Sequence, residues 1–159
     1  MSRNIPITAV DQHDFLEHRR KQEALHWGRQ DMAELNELSS ILTVEVNTTE
    51  LCNRTCSFCP RADPKVFGNR NLHMTPKGAE LIGKELHSNG FRGKISLSGY
   101  GENLLNPQFK AIVHAFRRTV PYATLECNTN GDKLTTEYAE ELFEFSGLDL
   151  LYINLYDGV

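Results

Sequence analysis

Long apolar runs are missing from this sequence. No stretch of the 159 residues approaches the ~20 consecutive apolar residues of a membrane-spanning helix, so we expect no membrane partner. Residues 1–10 carry one arginine and no long apolar segment, which does not fit a secretory signal. We therefore expect a cytoplasmic protein, in which thiols stay reduced and remain available to metals.

An excess of positive charge is also missing. The chain has 17 Lys and Arg residues against 21 Asp and Glu residues, a formal net charge of −4, so a nucleic-acid partner is not expected. There is no His-Glu-x-x-His motif and no Walker-type phosphate loop. The sequence thus gives no support to a zincin protease or a P-loop nucleotide hydrolase.

Cysteine is scarce, but its distribution is uneven. Cys52, Cys56 and Cys59, three of the four cysteines, form a Cys-x3-Cys-x2-Cys run. A [4Fe-4S] cluster normally takes one cysteine per iron, so three thiolates leave one iron open to a small molecule. Two alternatives remain at this point: a zinc site with His73 as the fourth ligand, or a disulfide with one spare thiol. Cys127 falls inside a predicted strand, where we expect it to be a small core residue.

The periodicity of the chain predicts alternating strands and helices. Residues 1–40 are interpreted as a helical packing extension, with a helix over 12–26 and a second short stretch at Met32, Leu35 and Leu38. From residue 41 onward, β segments alternate with amphipathic helices, which favours a parallel sheet of right-handed βα units in a core domain over 41–159. The predicted strands are 41–47, 94–98, 122–127 and 149–155. The first predicted helix begins at Pro76, with Thr75 as its cap, and stops at Gly90. The second begins at Asn106-Pro107, and the third runs from Thr136 to Phe145.

Chemically interesting loops follow three of these strands. The cysteines follow the first, residues 99–102 (Gly-Tyr-Gly-Glu) the second, and residues 128–131 (Asn-Thr-Asn-Gly) the third. Ligands bind beyond the carboxyl ends of parallel strands, so we expect the three loops to converge on one site. Simpler interpretations stay open, since Glu102 could be a solvated surface acid and residues 128–131 a plain turn.

At the cysteine run the sequence resembles the radical S-adenosylmethionine (radical SAM) enzymes. Their motif is Cys-x3-Cys-x-aromatic-Cys, and Phe58 fills its aromatic position. Residues 100–103 are similar to the family's Gly-Gly-Glu-Pro motif: Gly101 and Glu102 match, whereas Tyr100 and Asn103 stand in place of Gly and Pro. Arg61 and the Leu-Leu-Asn-Pro run at 104–107 are similar to the branch that often carries a SPASM or twitch extension.

The resemblance implies a fold and a set of cofactors. The fold is the first four βα units of a (β/α)6 partial TIM barrel, so we expect that the chain is a piece of a longer domain or that a partner completes it. The three cysteines would hold the [4Fe-4S] cluster, and the open iron would chelate SAM, whose amino group Glu102 would receive. The cofactor-binding residues implied in this way are Phe58, Gly101, Glu102, Asn128, Asn130 and Asn154.

The resemblance also implies an activity. An external electron donor such as flavodoxin or ferredoxin would reduce the cluster, and cleavage of SAM would give a 5′-deoxyadenosyl radical that abstracts hydrogen from an unknown substrate. No catalytic residue beyond the cluster is expected, and the enzyme would be an oxidoreductase or a transferase. The alternative is a catalytically inactive iron-sulfur or zinc-binding module.

Overall fold

The computed structural model describes residues 41–155. This part of the chain forms a four-stranded parallel sheet with helices between its strands. The predicted helix over 12–26 and the stretch at Met32, Leu35 and Leu38 lie outside these residues. The elements are β1 (Thr43–Val46), α1 (Pro76–Ser88), β2 (Lys94–Leu97), α2 (Phe109–Thr119), β3 (Thr124–Thr129), α3 (Thr136–Glu140) with its π-helical continuation Glu141–Ser146, and β4 (Leu150–Ile153), with 3-10 turns at Pro60–Ala62 and Asn103–Leu105.

The strands lie in chain order, β1-β2-β3-β4, and each neighbouring pair is parallel. Val46 is in register with Leu97, and Leu97 with Cys127. The α/β prediction, with a parallel sheet made of successive βα units, is confirmed. All four strands therefore end at the same edge of the sheet, which is the edge where the three loops were expected to meet.

The two faces of the sheet differ in chemistry. One face carries Ile95, Leu97, Leu125 and Cys127, all 0% exposed, which join the apolar face of α2 in the core. The prediction that Cys127 is a core residue is confirmed. Because residues alternate between faces, the opposite face carries polar side chains: Glu45, Ser96, Glu126 and Asn128.

The start of α1 is confirmed, and the start of α2 is corrected. Thr75 Oγ1 accepts a hydrogen bond from Gly78 N at 3.2 Å, and Pro76 occupies the first helical position. For α2 the predicted Asn106-Pro107 start is wrong, since the helix begins at Phe109. Asn106 Oδ1 accepts from Gln108 N at 2.9 Å just before the helix, while its Nδ2 donates to carbonyl groups of other loops, so this side chain has a local and a tertiary role.

Two further boundaries differ from the prediction. β3 begins at Thr124 rather than at residue 122 and continues through Asn128 and Thr129, which pair with Tyr152 and Ile153 of β4. The predicted third helix changes after Glu140 into a π-helical segment, Glu141–Ser146. Gly147 follows it at a φ of 82°, where glycine's freedom allows the helix to end.

Candidate functional site

A cavity of about 420 Å³ opens at the carboxyl ends of the strands. Its wall is formed by the loop after β1, the loop after β2, the end of β3 and the residue that follows β4. All nine residues predicted to bind the cluster or SAM line it: Cys52, Cys56, Phe58, Cys59, Gly101, Glu102, Asn128, Asn130 and Asn154. The expected convergence of separate strand ends is therefore present in the fold.

The three cysteines of the motif share this cavity as free thiols. Each is partly exposed, and none forms a disulfide, so the alternative of a disulfide with a spare thiol has no counterpart in the structure. Within residues 41–155, no three His, Cys, Asp or Glu side chains converge in an arrangement that could hold a metal ion. Three cysteine thiols are the right number and type of ligand for an iron-sulfur cluster with one open iron. To bind such a cluster, the three side chains would have to rotate toward a common point.

Cys52 has a perturbed environment. Partial burial raises the pKa of its thiol, and this effect is opposed by a hydrogen bond from Arg54 N to Sγ at 3.5 Å and by the positive charge of Arg61. Cys56 and Cys59 are linked through the backbone, where Cys59 N donates to Cys56 O at 2.9 Å. The loop thus holds two of its cysteines in one tight turn.

His73 lies at the base of the cysteine loop, which we define as residues 47–75 between β1 and α1. It forms an isolated antiparallel bridge with Thr49, and its Nδ1 lies 2.9 Å from Thr49 Oγ1. Its Nε2 lies 2.8 Å from Asn71 Oδ1, so both ring nitrogens have partners, and the ring does not line the cavity. The structure therefore gives the zinc hypothesis no fourth ligand at this position, and assigns His73 to closing the loop.

Gly101 brings the loop after β2 against the beginning of the cysteine loop. A Cβ at position 101 would lie 1.8 Å from Thr49 O, which is too close for any side chain. The next residue continues the contact, since Glu102 N donates to Leu51 O at 2.7 Å. Glycine at 101 is therefore a requirement of this close approach between two backbones.

The Glu102 carboxylate is buried and already bonded. Glu102 is 3% exposed, so the interpretation as a solvated surface acid is wrong. Its Oε1 accepts from Thr129 Oγ1 at 2.6 Å and from Leu104 N at 3.1 Å, and its Oε2 accepts from Asn130 N at 2.7 Å. Because a carboxylate offers about four lone-pair positions, one acceptor position of Glu102 remains at the cavity wall.

The loop at residues 128–131 is a turn only in its second half. Asn128 and Thr129 belong to β3, so the turn interpretation is wrong for these two residues. Asn130 Oδ1 then accepts from Asp132 N at 3.0 Å, and Gly131 has a φ of 80°, the positive value that favours glycine. Asn128 and Asn130 are thus fixed, the first by a strand and the second by a turn.

Asn103 was missed by the sequence reasoning, which noted only that it replaces the family's proline. It is fully buried, and its Oδ1 accepts from Thr48 Oγ1 at 2.6 Å. Its Nδ2 lies 2.7 Å from Leu97 O and 3.1 Å from Asn128 O. One side chain therefore joins the ends of β1, β2 and β3 beneath the cavity, and an isolated asparagine in a sequence carries no signal of this.

A second set of contacts was also missed, between the cysteine loop and the turn after β3. Arg54 Nε donates to Asp132 Oδ2 at 2.8 Å, and Asn53 Nδ2 donates to the same oxygen at 2.7 Å. Asn130 Nδ2 donates to Asn53 Oδ1 at 2.9 Å. The hydrogen bond from Arg54 is the main reason that the pKa of Asp132 is lowered. These contacts fix the cysteine loop against the opposite wall of the cavity.

Aromatic rings lie at the outer rim. Phe58 is 65% exposed although it lines the cavity, so much of its side chain faces solvent at the rim. Tyr100, in place of the family's first glycine, packs edge-on against Phe67 with 5.2 Å between ring centroids. The substitution thus creates another contact between the loop after β2 and the cysteine loop.

Comparison with known proteins agrees with this geometry. The family model of the Radical SAM superfamily matches residues 46–158, which is most of the chain. The chain belongs to the radical SAM superfamily. A curated relative, the S-adenosyl-L-methionine-dependent 2-deoxy-scyllo-inosamine dehydrogenase of Niallia circulans, is 34% identical over 110 residues, which cover 69% of this chain and 42% of that protein. The SPASM or twitch-like branch stays a prediction.

Solved structures give the same result for the fold. The structure of BtrN in complex with AdoMet and 2-DOIA matches with a TM-score of 0.68 and 29% identity, covering 76% of this radical SAM chain and 48% of BtrN. Selenomethionine BtrN in an open conformation matches with a TM-score of 0.63 at 29% identity, with 76% and 53% covered. The partial (β/α) barrel prediction is confirmed, and the chain spans about half the length of these relatives. No helix within residues 41–155 is long and apolar enough to cross a membrane.

Proposed function

We propose that Cys52, Cys56 and Cys59 hold a [4Fe-4S] cluster on which S-adenosylmethionine is cleaved. The observation that carries the proposal is the single cavity lined by all nine residues predicted from the motif, although they come from four separate strand ends. When bound, the reduced cluster would supply one electron to the sulfonium of SAM and release a 5′-deoxyadenosyl radical that abstracts hydrogen from a substrate.

The residues around the cavity have distinct roles in this proposal. The remaining acceptor position of Glu102 receives the amino group of SAM, while Gly101 lets the loop backbone approach it. Asn128 and Asn130 present amide groups to the ribose or methionine portion, and Asn154 completes this wall. Phe58 covers the outer side and reduces access of water. No side chain of this chain is assigned a proton transfer.

For the substrate we propose a polar, hydroxylated molecule such as an aminocyclitol. The curated relative is named for the dehydrogenation of 2-deoxy-scyllo-inosamine, which is a ring with amino and hydroxyl groups. The polar sheet face supports a similar substrate here, because Glu45 and Ser98 line the cavity beside Asn128. A carboxylate and a hydroxyl group can bind an amine and alcohols. Because the curated relative is a dehydrogenase, we favour an oxidoreductase acting on a secondary alcohol over a transferase.

Four further proposals complete this account. An electron donor such as flavodoxin or ferredoxin reduces the cluster, and the reaction takes place in the cytoplasm. The core domain begins near residue 41, after an N-terminal helical extension over residues 1–40. A segment beyond Val159, or a partner, supplies the remaining barrel wall, which the length of the relatives supports.

The experiment is anaerobic reconstitution with iron and sulfide, followed by reduction in the presence of SAM. We expect 5′-deoxyadenosine and methionine in equal amounts by chromatography. When deuterated 2-deoxy-scyllo-inosamine is added, we expect deuterium to be incorporated into 5′-deoxyadenosine. A loaded cluster without deoxyadenosine would favour the catalytically inactive iron-sulfur module for this chain. Zinc as the sole bound metal would contradict the cluster proposal.

A further inference from the structure

Arg61 is a buried cation that forms no ion pair with any residue in the described part of the chain. It is 5% exposed, and its Nη1 is buried without a hydrogen-bond partner among the described residues. Its Nη2 donates to the neutral Asn69 Oδ1, and its guanidinium lies 5.3 Å from the ring centroid of Phe67. Within residues 41–155, no carboxylate forms an ion pair with it, whereas Arg54, Arg70 and Arg117 each pair with one.

Such an arrangement is costly in the protein as it stands. A guanidinium stays charged in proteins, and burying a charge without a counter-charge is strongly unfavourable. The amide oxygen and the aromatic ring around Arg61 solvate the cation only in part. Among residues 41–155, Arg61 therefore has no counter-anion.

Within the cysteine loop, Arg61 is joined through Asn69 to the motif cysteine Cys52. Arg61 follows Cys59 by two residues, and the Asn69 oxygen that it contacts also accepts from Cys52 N at 3.0 Å. Asn69 Nδ2 donates to Cys52 O at 3.2 Å, so one amide holds both the backbone of a motif cysteine and the guanidinium. The positive charge of Arg61 thus lies beside the place where the thiolates would gather.

We propose that Arg61 is the counter-charge of the iron-sulfur cluster and raises its reduction potential. This rests on the proposed function, since it requires the cluster. Three thiolates outweigh the positive charge of an oxidised cubane, and one-electron reduction adds another negative charge. A fixed buried cation stabilises the reduced form more than the oxidised form, so it makes the electron transfer to the cluster more favourable.

The test compares Arg61→Gln, which removes the charge, with Arg61→Lys, which keeps it. The midpoint potential of the reconstituted cluster is measured by redox titration followed by electron paramagnetic resonance. We expect Arg61→Gln to lower the equilibrium constant for reduction about tenfold, which corresponds to a shift of about 59 mV to more negative potential. Arg61→Lys, and Lys65→Gln as an exposed cation on the same loop, should keep the wild-type potential. An unchanged potential in Arg61→Gln overturns the proposal.

Stability measurements keep the proposal falsifiable if Arg61→Gln does not take up a cluster. Without the cluster, the variant should be at least as resistant to urea as the wild type, because an uncompensated buried charge has been removed. Loss of cluster uptake in Arg61→Gln with uptake retained in Arg61→Lys supports a role of the charge. Unfolding of the cluster-free Arg61→Gln protein overturns the proposal in favour of a packing role. A wild-type protein that takes up no cluster contradicts the proposed function itself.

Discussion

Thr129 Oγ1 lies 2.6 Å from Glu102 Oε1, which joins the end of β3 to the loop after β2. The same carboxylate accepts from Asn130 N, so its negative charge is already stabilised by donors from the strand end and from the turn. Glu102 is therefore a structural residue and, in the proposed function, a SAM ligand through its remaining lone pair. The two roles predict different responses to substitution.

Glu102→Gln tests these two roles. The substitution replaces a charged acceptor with an amide and puts an NH₂ group near donors, so we expect a loss of about 2 kcal/mol in the free energy of unfolding. Thr129→Val, the control, removes only one of the three donors to Glu102 and should weaken SAM binding far less than Glu102→Gln. Urea denaturation and equilibrium dialysis with SAM measure the two effects. Equal SAM affinity in Glu102→Gln and the wild type would contradict the ligand role.

Gly101→Ala tests the close approach of the two loops. Because the new Cβ would lie 1.8 Å from Thr49 O, the loop after β2 must move away from the cysteine loop. We expect cluster content and SAM binding to fall at least tenfold. Gly68→Ala on the cysteine loop is the matched control, since its Cβ would meet neighbours only at 3.8 Å and 3.9 Å. If both variants bind SAM like the wild type, the loop contact is not needed.

Asn103→Ala tests the buried amide beneath the cavity. The substitution leaves Thr48 Oγ1, Leu97 O and Asn128 O without their partner, so we expect a loss of about 3 kcal/mol in the free energy of unfolding. Gln108→Ala, at an exposed amide, should change stability by less than about 0.5 kcal/mol. Urea midpoints at an unchanged m-value provide the comparison, and equal midpoints in the two variants would show that the network adds nothing.

Periodicity and turn residues predicted the order of elements because they report local physics. The Thr75-Pro76 start of α1 and the glycine stop are examples, since cap and proline act within one turn of the chain. The cysteine motif and Gly101-Glu102 likewise led to the cavity, because strand ends in a parallel sheet share one edge.

The boundaries that were wrong depend on partners distant in sequence. Asn128 has a low strand preference, and it extends β3 together with Thr129 because both pair with β4. Asn106 accepts from Gln108 N beside the start of α2, as a helix cap would, but its Nδ2 also donates to the distant Thr48 O and Met74 O. The roles of Asn103 and Asp132 depend on contacts across 25 to 79 residues, which no local pattern encodes.

The contact between Arg54 and Asp132 should depend on pH. The lowered pKa of Asp132 means that its contribution to stability is present above the unfolded-state value of about 3.9 and is lost as pH falls through the lower folded-state pKa. A double-mutant cycle with Arg54→Met and Asp132→Asn should therefore give favourable coupling at pH 7 and progressively weaker coupling as pH falls through the folded-state pKa of Asp132. Coupling that is independent of pH would contradict the assignment of this ion pair.

The number of iron atoms bound by wild type and by cysteine variants tests the central claim most directly. After anaerobic reconstitution, the wild type and Cys127→Ala are expected to bind about four iron and four sulfide ions per chain, since Cys127 is a core residue away from the motif. Cys52→Ala, Cys56→Ala and Cys59→Ala should each lose most of this iron, because two thiolates do not hold the cluster firmly. Full iron content in any of these three variants, or its loss in Cys127→Ala alone, would contradict the account.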